Sequence, residues 1–395
     1  MKTNPYINDF PFFKNENIVY LDSAATTQKP QVMLDKMNEY YTHYCSNTHR
    51  GSHELGNTAT QKYEEARAYI AQFIGADTDE LIFTRGTTEA INLVATSYVK
   101  GKFSTVILSL IEHHSNILPW QLNGYTKGHG LEVIPLDKNL NIDVQAFEVI
   151  LKKNPKSFVS LTHISNSFGI INPLKELIDL AHKYNCEVMI DGAQALAHLD
   201  INVKDLDADF YAISAHKAYG PTGVGALYGK SQLLEKMKPY QGGGSMIDDV
   251  TFESSSFLSP PIRFEAGTQA IAEVIGFKAA LEYLYQAKKI QENDAHLLQY
   301  AKKRLEEIDG IVFYTHAKNV AGNISFNIKG IHHDDIGILL SKQNIMLRTG
   351  HHCALPIMNK LGIEGTVRLS FGLYSTTEDI DRTMEGLNKA IKILS

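Results

Sequence analysis

The sequence predicts an α/β protein with a large domain built on a mostly parallel sheet, followed by a smaller α+β domain. Between residues 81 and 228, short apolar runs alternate with stretches of helical periodicity, a pattern typical of parallel sheets with helices on both faces. After Gly267 the chain becomes almost continuously helix-forming and then mixed. We therefore predict domains at 16–268 and 269–395, and expect residues 1–15 to pack on the smaller domain.

Five short apolar runs predict the strands of the large sheet, and one helix between them is well marked. The runs are 81–83, 106–108, 158–161, 188–190 and 210–213. Asn172 and Pro173 resemble a helix cap followed by proline at the first helical position. Leu174, Leu177 and Ile178 then recur with helical spacing, which predicts an amphipathic crossover helix.

The C-terminal part predicts helices and a second, smaller sheet. Residues 270–308 are rich in helix-forming Ala, Leu, Glu, Lys and Gln. Alternating apolar and polar residues at 324–328 and 367–370 predict two strands. A last helix is expected from Thr376 onward.

Composition and charge exclude several classes of protein. The 395 residues are 44% hydrophobic, which is enough for sizeable cores and excludes global disorder. The net charge is −6 and no basic block occurs, so we expect no nucleic-acid partner. The sequence contains no apolar run that predicts a membrane span and no signal-peptide pattern at its start. Cys45, Cys186 and Cys353 are a sparse set, typical of a reducing compartment, and we predict a cytoplasmic location.

Polar residues after the predicted strands are the first candidates for a site, because ligands of such sheets bind beyond the carboxyl ends of the strands. After run 81–83 comes Arg85-Gly86-Thr87-Thr88-Glu89 and then an apolar helical stretch. Free amides, two hydroxyl groups and the positive end of a helix would form an anion site at Thr87 and Thr88. The alternative is an ordinary helix cap.

Two further strand ends carry charged residues. Asp191 ends run 188–190, where a buried carboxylate needs a cation or several donors. A pyridinium nitrogen would serve, and a structural ion pair is the alternative. Ser214-Ala215-His216-Lys217 follows run 210–213, and Lys217 could be an amine nucleophile or a surface lysine.

The order of these features along the chain decides between the alternatives. Pyridoxal 5'-phosphate requires an anion cradle, a partner for its pyridinium nitrogen and a lysine that forms a Schiff base. The three strand ends offer these groups in that order, so we predict this cofactor.

The sequence resembles the class V aminotransferase-like enzymes of fold type I, and within them the SUF-type (group II) cysteine desulfurases. The resemblance runs from Leu21-Asp22-Ser23-Ala24-Ala25-Thr26-Thr27 to Arg368-Leu369-Ser370, and Arg348-Thr349-Gly350-His351-His352-Cys353-Ala354 is its most specific segment. It implies conversion of L-cysteine to L-alanine, with the sulfur transferred to an enzyme cysteine as a persulfide. It also implies a supply of sulfur for iron–sulfur cluster assembly.

The resemblance implies roles around the cofactor. Around the ring, Lys217 forms the Schiff base, Asp191 pairs with the pyridine nitrogen, Gln194 bonds the phenolate oxygen, and His113 stacks on the ring and assists proton transfer. The phosphate is held by Thr87, Thr88, Ser214 and His216.

The resemblance also implies how substrate and partners bind. Asn166 and Arg368 would bind the substrate carboxylate, and Cys353 would accept the sulfur. Thr268 would reach the phosphate of the partner subunit, so a homodimer with shared active sites is expected. Because Cys353 lies on a compact loop, a sulfur-acceptor protein of the SufE or SufU kind is expected to come to it. His49 and Arg50 match a family segment near the active site without an assigned role.

Two alternatives remain open. A selenocysteine lyase or cysteine sulfinate desulfinase would share the architecture and most of the site. A non-enzymatic metal-binding or interaction protein would use His351, His352 and Cys353 as ligands, but three consecutive residues rarely converge on one ion, and we predict no metal.

Overall fold

A computed structural model describes residues 4–14, 17–49, 52–287 and 290–395. Its α-helices are α1 (Gln31–His43), α2 (Glu54–Phe73), α3 (Thr87–Val94), α4 (Leu118–Leu122), α5 (Val144–Lys153), α6 (Leu174–Lys183), α7 (Val203–Leu206), α8 (Ser231–Leu234), α9 (Ile271–Gln286), α10 (Ile290–Leu305), α11 (His333–Ser341), α12 (Leu355–Leu361) and α13 (Thr377–Leu394). None of the helices within these ranges is both long enough and apolar enough to cross a membrane.

The strands of the same residues are β1 (Val19–Tyr20), β2 (Leu81–Thr84), β3 (Val106–Ser109), β4 (Thr126–Lys127), β5 (Gly130–Ile134), β6 (Phe158–Thr162), β7 (Glu187–Asp191), β8 (Phe210–Ser214), β9 (Gly225–Gly229), β10 (Ile247–Val250), β11 (Ser255–Phe257), β12 (Ile311–Phe313), β13 (Asn323–Ile328), β14 (Ile345–Met346), β15 (Arg348–Gly350) and β16 (Thr366–Ser370). All five strands predicted for the large sheet are present.

The large sheet has the order β2-β9-β8-β7-β6-β3-β5-β4 in the described residues. Only β9 runs antiparallel to its neighbours, β2 and β8. The strands β2, β3, β6, β7 and β8 therefore point the same way, and their carboxyl ends share one edge. The prediction of a mostly parallel sheet is confirmed, and the polar residues after these strands meet at that edge.

Each face of the large sheet has its own hydrophobic core, as expected for a sheet covered on both sides. Ile107 packs with residues of α2, α5, α6 and α9. Its neighbours Val106 and Leu108 pack instead with residues of α3, α4 and α8. Successive side chains of a strand point to opposite faces, so these continuously apolar strands supply both cores.

The start of helix α6 differs from the prediction. Pro173 is the residue before the helix, with ψ +70°, and the helix begins at Leu174. The Asn172 side chain does not cap the helix, because its Nδ2 donates to the carbonyl oxygen of Thr162 at 2.7 Å. The prediction of Asn172 as the cap was therefore wrong, since this side chain holds the end of β6 instead.

The C-terminal residues form the second sheet that the sequence predicts. Its order is β12-β13-β16-β15, and β13 and β16 contain the two predicted strands. Helix α13 begins after Thr376, whose hydroxyl accepts from the N–H of Asp379 while the Asp379 carboxylate accepts from the N–H of Thr376. This reciprocal capping satisfies two backbone donors and fixes the predicted helix start.

The packing of α9 bears on the predicted domain division, which stays a prediction. Phe277 and Leu281 of α9 lie in the core on one face of the large sheet. Leu297 of α10 lies instead in the core of the small sheet. Judged by this packing, the boundary between the two predicted domains would lie after α9 rather than before it. The N-terminal segment also contacts more than the small domain, since Phe10 packs against Tyr219 of the large one at 5.9 Å between ring centroids.

Candidate active site

An open cavity of about 720 Å³ lies at the edge where the parallel strands end. Every site residue predicted within one chain lines it: Thr87, Thr88, His113, Asn166, Asp191, Gln194, Ser214, His216, Lys217, Cys353 and Arg368. Thr268 does not line this cavity and is exposed to solvent. The segments that the sequence places hundreds of residues apart therefore converge on one site.

The first turn of α3 forms a cradle at one end of the cavity. Gly86 precedes the helix with φ +142°, and a Cβ atom there would lie 3.0 Å from Ser214 Oγ, so the close approach requires glycine. The N–H of Thr87 donates to Ser214 Oγ at 3.4 Å. Among the described residues, Thr87 Oγ1 is buried without a hydrogen-bond partner. Free helix N–H groups, the helix dipole and this unpaired hydroxyl suit a phosphate group.

Asp191 is a buried carboxylate at the end of β7. Its Oδ1 accepts from the N–H of Ala193 at 3.0 Å. Burial raises its pKa, while that N–H and the charge of Lys217 act in the opposite direction. A buried carboxylate with so few donors is stabilised as an anion by a cation placed against it, and a pyridinium nitrogen in the cavity would be such a cation.

Lys217 follows β8 in a short 3-10 turn and is half-buried in the cavity wall. Burial lowers its pKa to about 8, although the Asp191 carboxylate acts to raise it. At neutral pH about one molecule in ten then carries the neutral amine, compared with far fewer for an exposed lysine. Lys217 is thus poised as a nucleophile or a general base.

His113 is neutral and has a defined tautomer. Burial and the nearby charge of Lys217 lower its pKa to about 3. Its Nδ1 accepts from the N–H of Ser115 at 3.0 Å, so Nε2 carries the proton. The ring can donate through Nε2 and can stack against a flat ligand in the cavity.

Arg368 lies on β16 and is 1% exposed. Its NH1 donates to the Asn166 carbonyl oxygen at 2.8 Å and its NH2 to Asp22 Oδ1 at 3.0 Å. Its Nε has no partner among the described residues although it is buried. A positioned guanidinium with a free N–H in a cavity wall suits an incoming carboxylate.

Cys353 is half-buried between β15 and α12. Asn166 Nδ2 donates to the carbonyl oxygen of the preceding His352 at 2.6 Å, which ties this loop to the same residue whose carbonyl oxygen accepts from Arg368. Cys45 is exposed and Cys186 is buried, and neither lines the cavity. Of the three thiols, Cys353 is therefore the one that faces a bound ligand.

The predicted alternative metal ligands do not form a metal-like cluster. In the part of the chain that the structure describes, ligand atoms at metal-like separation occur at His332, His333 and Asp334, and not at His351, His352 and Cys353. The atoms of that first group bond within the protein, for example Asp334 Oδ1 with Thr349 Oγ1 at 2.6 Å.

Sequence reasoning gave no role to several residues of the site. Arg348 lines the cavity, and Asp22 orients Arg368. Glu112 is completely buried, which raises its pKa to about 7, and its carboxylate accepts from Asn116 Nδ2 at 2.7 Å. In the sequence, the position of Glu112 directly before His113 was the signal that could have marked it as a site residue. His49 pairs with Glu64 at 2.8 Å, and Arg50 lies outside the described residues.

These groups fit pyridoxal phosphate: the unpaired Thr87 hydroxyl lies in the cradle, and the buried carboxylate of Asp191 and the amine of Lys217 lie in the same cavity. The fold and the site thus define a pyridoxal-phosphate-dependent enzyme on an α/β scaffold. The chain belongs to the aminotransferase class-V family, whose model matches residues 19–383.

Similar proteins extend this assignment. A protein of Halalkalibacterium halodurans named "Probable cysteine desulfurase" is 45% identical over 378 residues, covering 94% of this chain and 93% of its own. A protein of the same name from Mycolicibacterium paratuberculosis is 43% identical over 384 residues, covering 95% of this chain but only 56% of its own length. A cysteine desulfurase structure from Thermococcus onnurineus NA1 superposes with a TM-score of 0.93 at 36% identity, covering 100% of this chain and 99% of its own.

Proposed function

We propose that this protein is a cysteine desulfurase that converts L-cysteine to L-alanine and leaves the sulfur on Cys353 as a persulfide. The observation that carries the proposal is the presence of the Cys353 thiol in the same cavity as Lys217 and Arg368. Amino-group transfer needs no protein thiol, whereas sulfur transfer does. The names of the similar proteins support the same reaction.

The residues divide the work in the following way. Bound pyridoxal phosphate supplies an electron sink that acidifies the α-hydrogen of an amino acid. Arg368, through its free Nε–H, and Asn166 bind the substrate carboxylate, and Asn166 Nδ2 also holds the adjacent loop. Lys217, with a pKa near 8, takes the α-proton as a general base. His113, whose Nε2 carries a proton, assists proton transfer as a donor.

Sulfur transfer is a displacement at the substrate's sulfur atom. The Cys353 thiolate attacks that sulfur, an S–S bond forms, and the C–S bond breaks. The electron pair of the broken bond stays with the carbon, which then takes up a proton and becomes the methyl group of alanine. No external oxidant is required, because sulfur is oxidised to the persulfide level while carbon is reduced.

We further propose how the subunits assemble and where the sulfur goes. The enzyme is of the SUF type, works as a homodimer completed by Thr268, and hands its sulfur to an acceptor of the SufE or SufU kind for iron–sulfur cluster assembly. The resemblance of the 348–354 segment supports the type and the acceptor. The sparse cysteines support a cytoplasmic location.

The test compares three substrates with and without candidate acceptor proteins. Purified enzyme is given L-cysteine, L-selenocysteine or L-cysteine sulfinate, and alanine and protein-bound persulfide are measured. We expect alanine from L-cysteine, persulfide on Cys353, and faster turnover when the acceptor removes the sulfur. If the enzyme prefers selenocysteine or the sulfinate and forms no persulfide from cysteine, it is a selenocysteine lyase or a cysteine sulfinate desulfinase instead.

A further inference from the structure

The backbone at Cys353 has an unusual conformation. His352 and Cys353 have φ values of +51° and +54°, in the left-handed region that residues with side chains rarely occupy. Two such residues in succession persist only where surrounding contacts hold them. The residues that hold the Cys353 loop, defined as residues 351–355, therefore control where the thiol points.

His114 contacts this loop on both sides of the thiol. Its backbone N–H donates to the Cys353 carbonyl oxygen at 2.8 Å. Its imidazole Nε2 accepts from the N–H of Leu355 at 3.1 Å. Its ring also lies 5.5 Å from the ring of His351, centroid to centroid. One residue thus bridges the segment that follows β3 and both ends of the strained turn.

The side-chain bond requires one form of the imidazole. Because Nε2 accepts a hydrogen bond, it carries no proton, and in the neutral ring the proton is on Nδ1. Partial burial and the neighbouring His351 lower the pKa of His114, which favours this neutral form. Loss of the Nε2 acceptor would leave the N–H of Leu355, at the first position of α12, without this partner.

We propose that His114 is a positioning residue whose imidazole Nε2 holds the Cys353 loop in the conformation that directs the thiol into the cavity. The importance of the loop for sulfur transfer rests on the function proposed above, whereas the contact itself does not. His114 does not line the cavity, and so it acts through the loop rather than on the substrate.

Two polar substitutions separate the effect of losing the hydrogen bond to Leu355 from the effect of shortening the side chain. His114→Gln places an amide oxygen at about the reach of Nε2, whereas the shorter His114→Asn does not reach Leu355. His129→Asn, at an exposed histidine between β4 and β5 that does not line the cavity, is the matched control. All variants are studied as holoenzyme, and all keep the backbone bond from residue 114 to Cys353.

The first readout is hydrogen–deuterium exchange of peptides covering residues 351–361, together with iodoacetamide labelling of Cys353 relative to Cys45. In His114→Asn we expect exchange in this segment to be about five- to tenfold faster, the factor for one lost hydrogen bond. We expect the Cys353 to Cys45 labelling ratio to change with it. His114→Gln and His129→Asn should match the wild type. Unchanged exchange and labelling in His114→Asn would overturn the proposal.

The second readout is kinetic. We expect His114→Asn to lower kcat for alanine release from L-cysteine by about five- to tenfold, with KM and the cofactor spectrum unchanged, and His114→Gln to restore kcat. Equal kcat in both variants despite altered exchange would contradict the directing role. If the wild type releases no alanine while His114→Asn still loosens residues 351–361, the desulfurase proposal fails and the contact stands.

Discussion

Lys217 is the residue whose protonation most directly sets the chemistry of the site. It is half-buried near Arg348 and Arg368, which line the same cavity, and desolvation is the largest cause that brings its pKa to about 8. Asp191 opposes that shift and keeps the amine titratable near neutral pH. Below pH 8 the amine is mostly charged and cannot attack; above pH 8 it is mostly neutral.

We therefore predict that covalent capture of pyridoxal phosphate by the apoprotein accelerates as pH rises through about 8 and then levels off. The measurement is the rate of formation of borohydride-reducible cofactor on Lys217, followed by peptide mass spectrometry. Lys217→Ala is the control and should yield no reduced adduct. An adduct at another lysine in that variant, or a rate independent of pH between 6.5 and 9.5 (a range about 1.5 units on either side of that pKa), would show that Lys217 is not the captor.

Cys353 is needed for a later step than cofactor binding. A serine hydroxyl is far too weakly acidic to replace a thiolate at neutral pH. We predict that Cys353→Ser binds L-cysteine and shows the normal change of cofactor absorbance, but loses most alanine release and carries no persulfide. The matched control is Cys45→Ser, which should retain both. If persulfide is lost in Cys45→Ser but kept in Cys353→Ser, then Cys45 accepts the sulfur and the role given to Cys353 is wrong.

A buried ion pair joins α2 to the segment that precedes α9. Arg67 donates through NH1 and NH2 to the two carboxylate oxygens of Glu265 at 2.7 and 2.8 Å. Both side chains are almost fully buried, at 2% and 3% exposure. The N–H of Phe83 in β2 also donates to this carboxylate, at 2.8 Å. Glu265 thus fastens the chain leading to Thr268 onto the large sheet.

Removal of one partner should leave the other charge buried and unpaired. We predict that Arg67→Met lowers the free energy of unfolding by about 3–5 kcal/mol, the usual result for half of a buried pair. Lys36→Met, which breaks the exposed pair with Glu39, should cost about 1 kcal/mol or less. Both are measured by urea denaturation of the holoenzyme. A cost for Arg67→Met no larger than that for Lys36→Met would contradict the role given to the pair.

The elements show which parts of the structure a single sequence can predict. Buried parallel strands such as β7 and β8 contain continuous apolar runs, and their carboxyl ends share an edge, so Asp191 and Lys217 could be placed together from the sequence alone. The short antiparallel strand β9 gave no such signal, because Gly225-Ala226-Leu227-Tyr228-Gly229 is bounded by glycines. Its pairing depends on neighbours distant in sequence.

Tertiary partners of site residues were likewise beyond the sequence. Arg368 was predicted to bind a carboxylate, but its fixation by Asp22 joins residues 346 positions apart. The contact of His114 with Leu355 in the Cys353 loop joins residues 241 positions apart. Local patterns predict which side chain reaches the site, whereas the second residue that orients it is determined only by the folded chain.

The position of Thr268 bears on whether one chain completes its own active site. Thr268 is exposed and lies outside the cavity, while Arg67 anchors Glu265 three residues earlier. The resemblance implies that Thr268 reaches the phosphate site of a second subunit. Each site would then combine Lys217 of one chain with Thr268 of the other, and a monomer would bind the phosphate with one hydroxyl fewer.

Mixed dimers test this sharing directly. Lys217→Ala alone should hold no covalent cofactor, and Thr268→Ala alone should lose cofactor on dialysis, by about tenfold in affinity for one lost phosphate contact. In a heterodimer of the two variants, one site regains both Lys217 and Thr268, while the other lacks both. We predict one dialysis-resistant cofactor per heterodimer, measured by absorbance after separation with two affinity tags. If heterodimers retain no more cofactor than Thr268→Ala homodimers, or if sedimentation shows a fully loaded and active monomer, Thr268 does not act across a subunit interface.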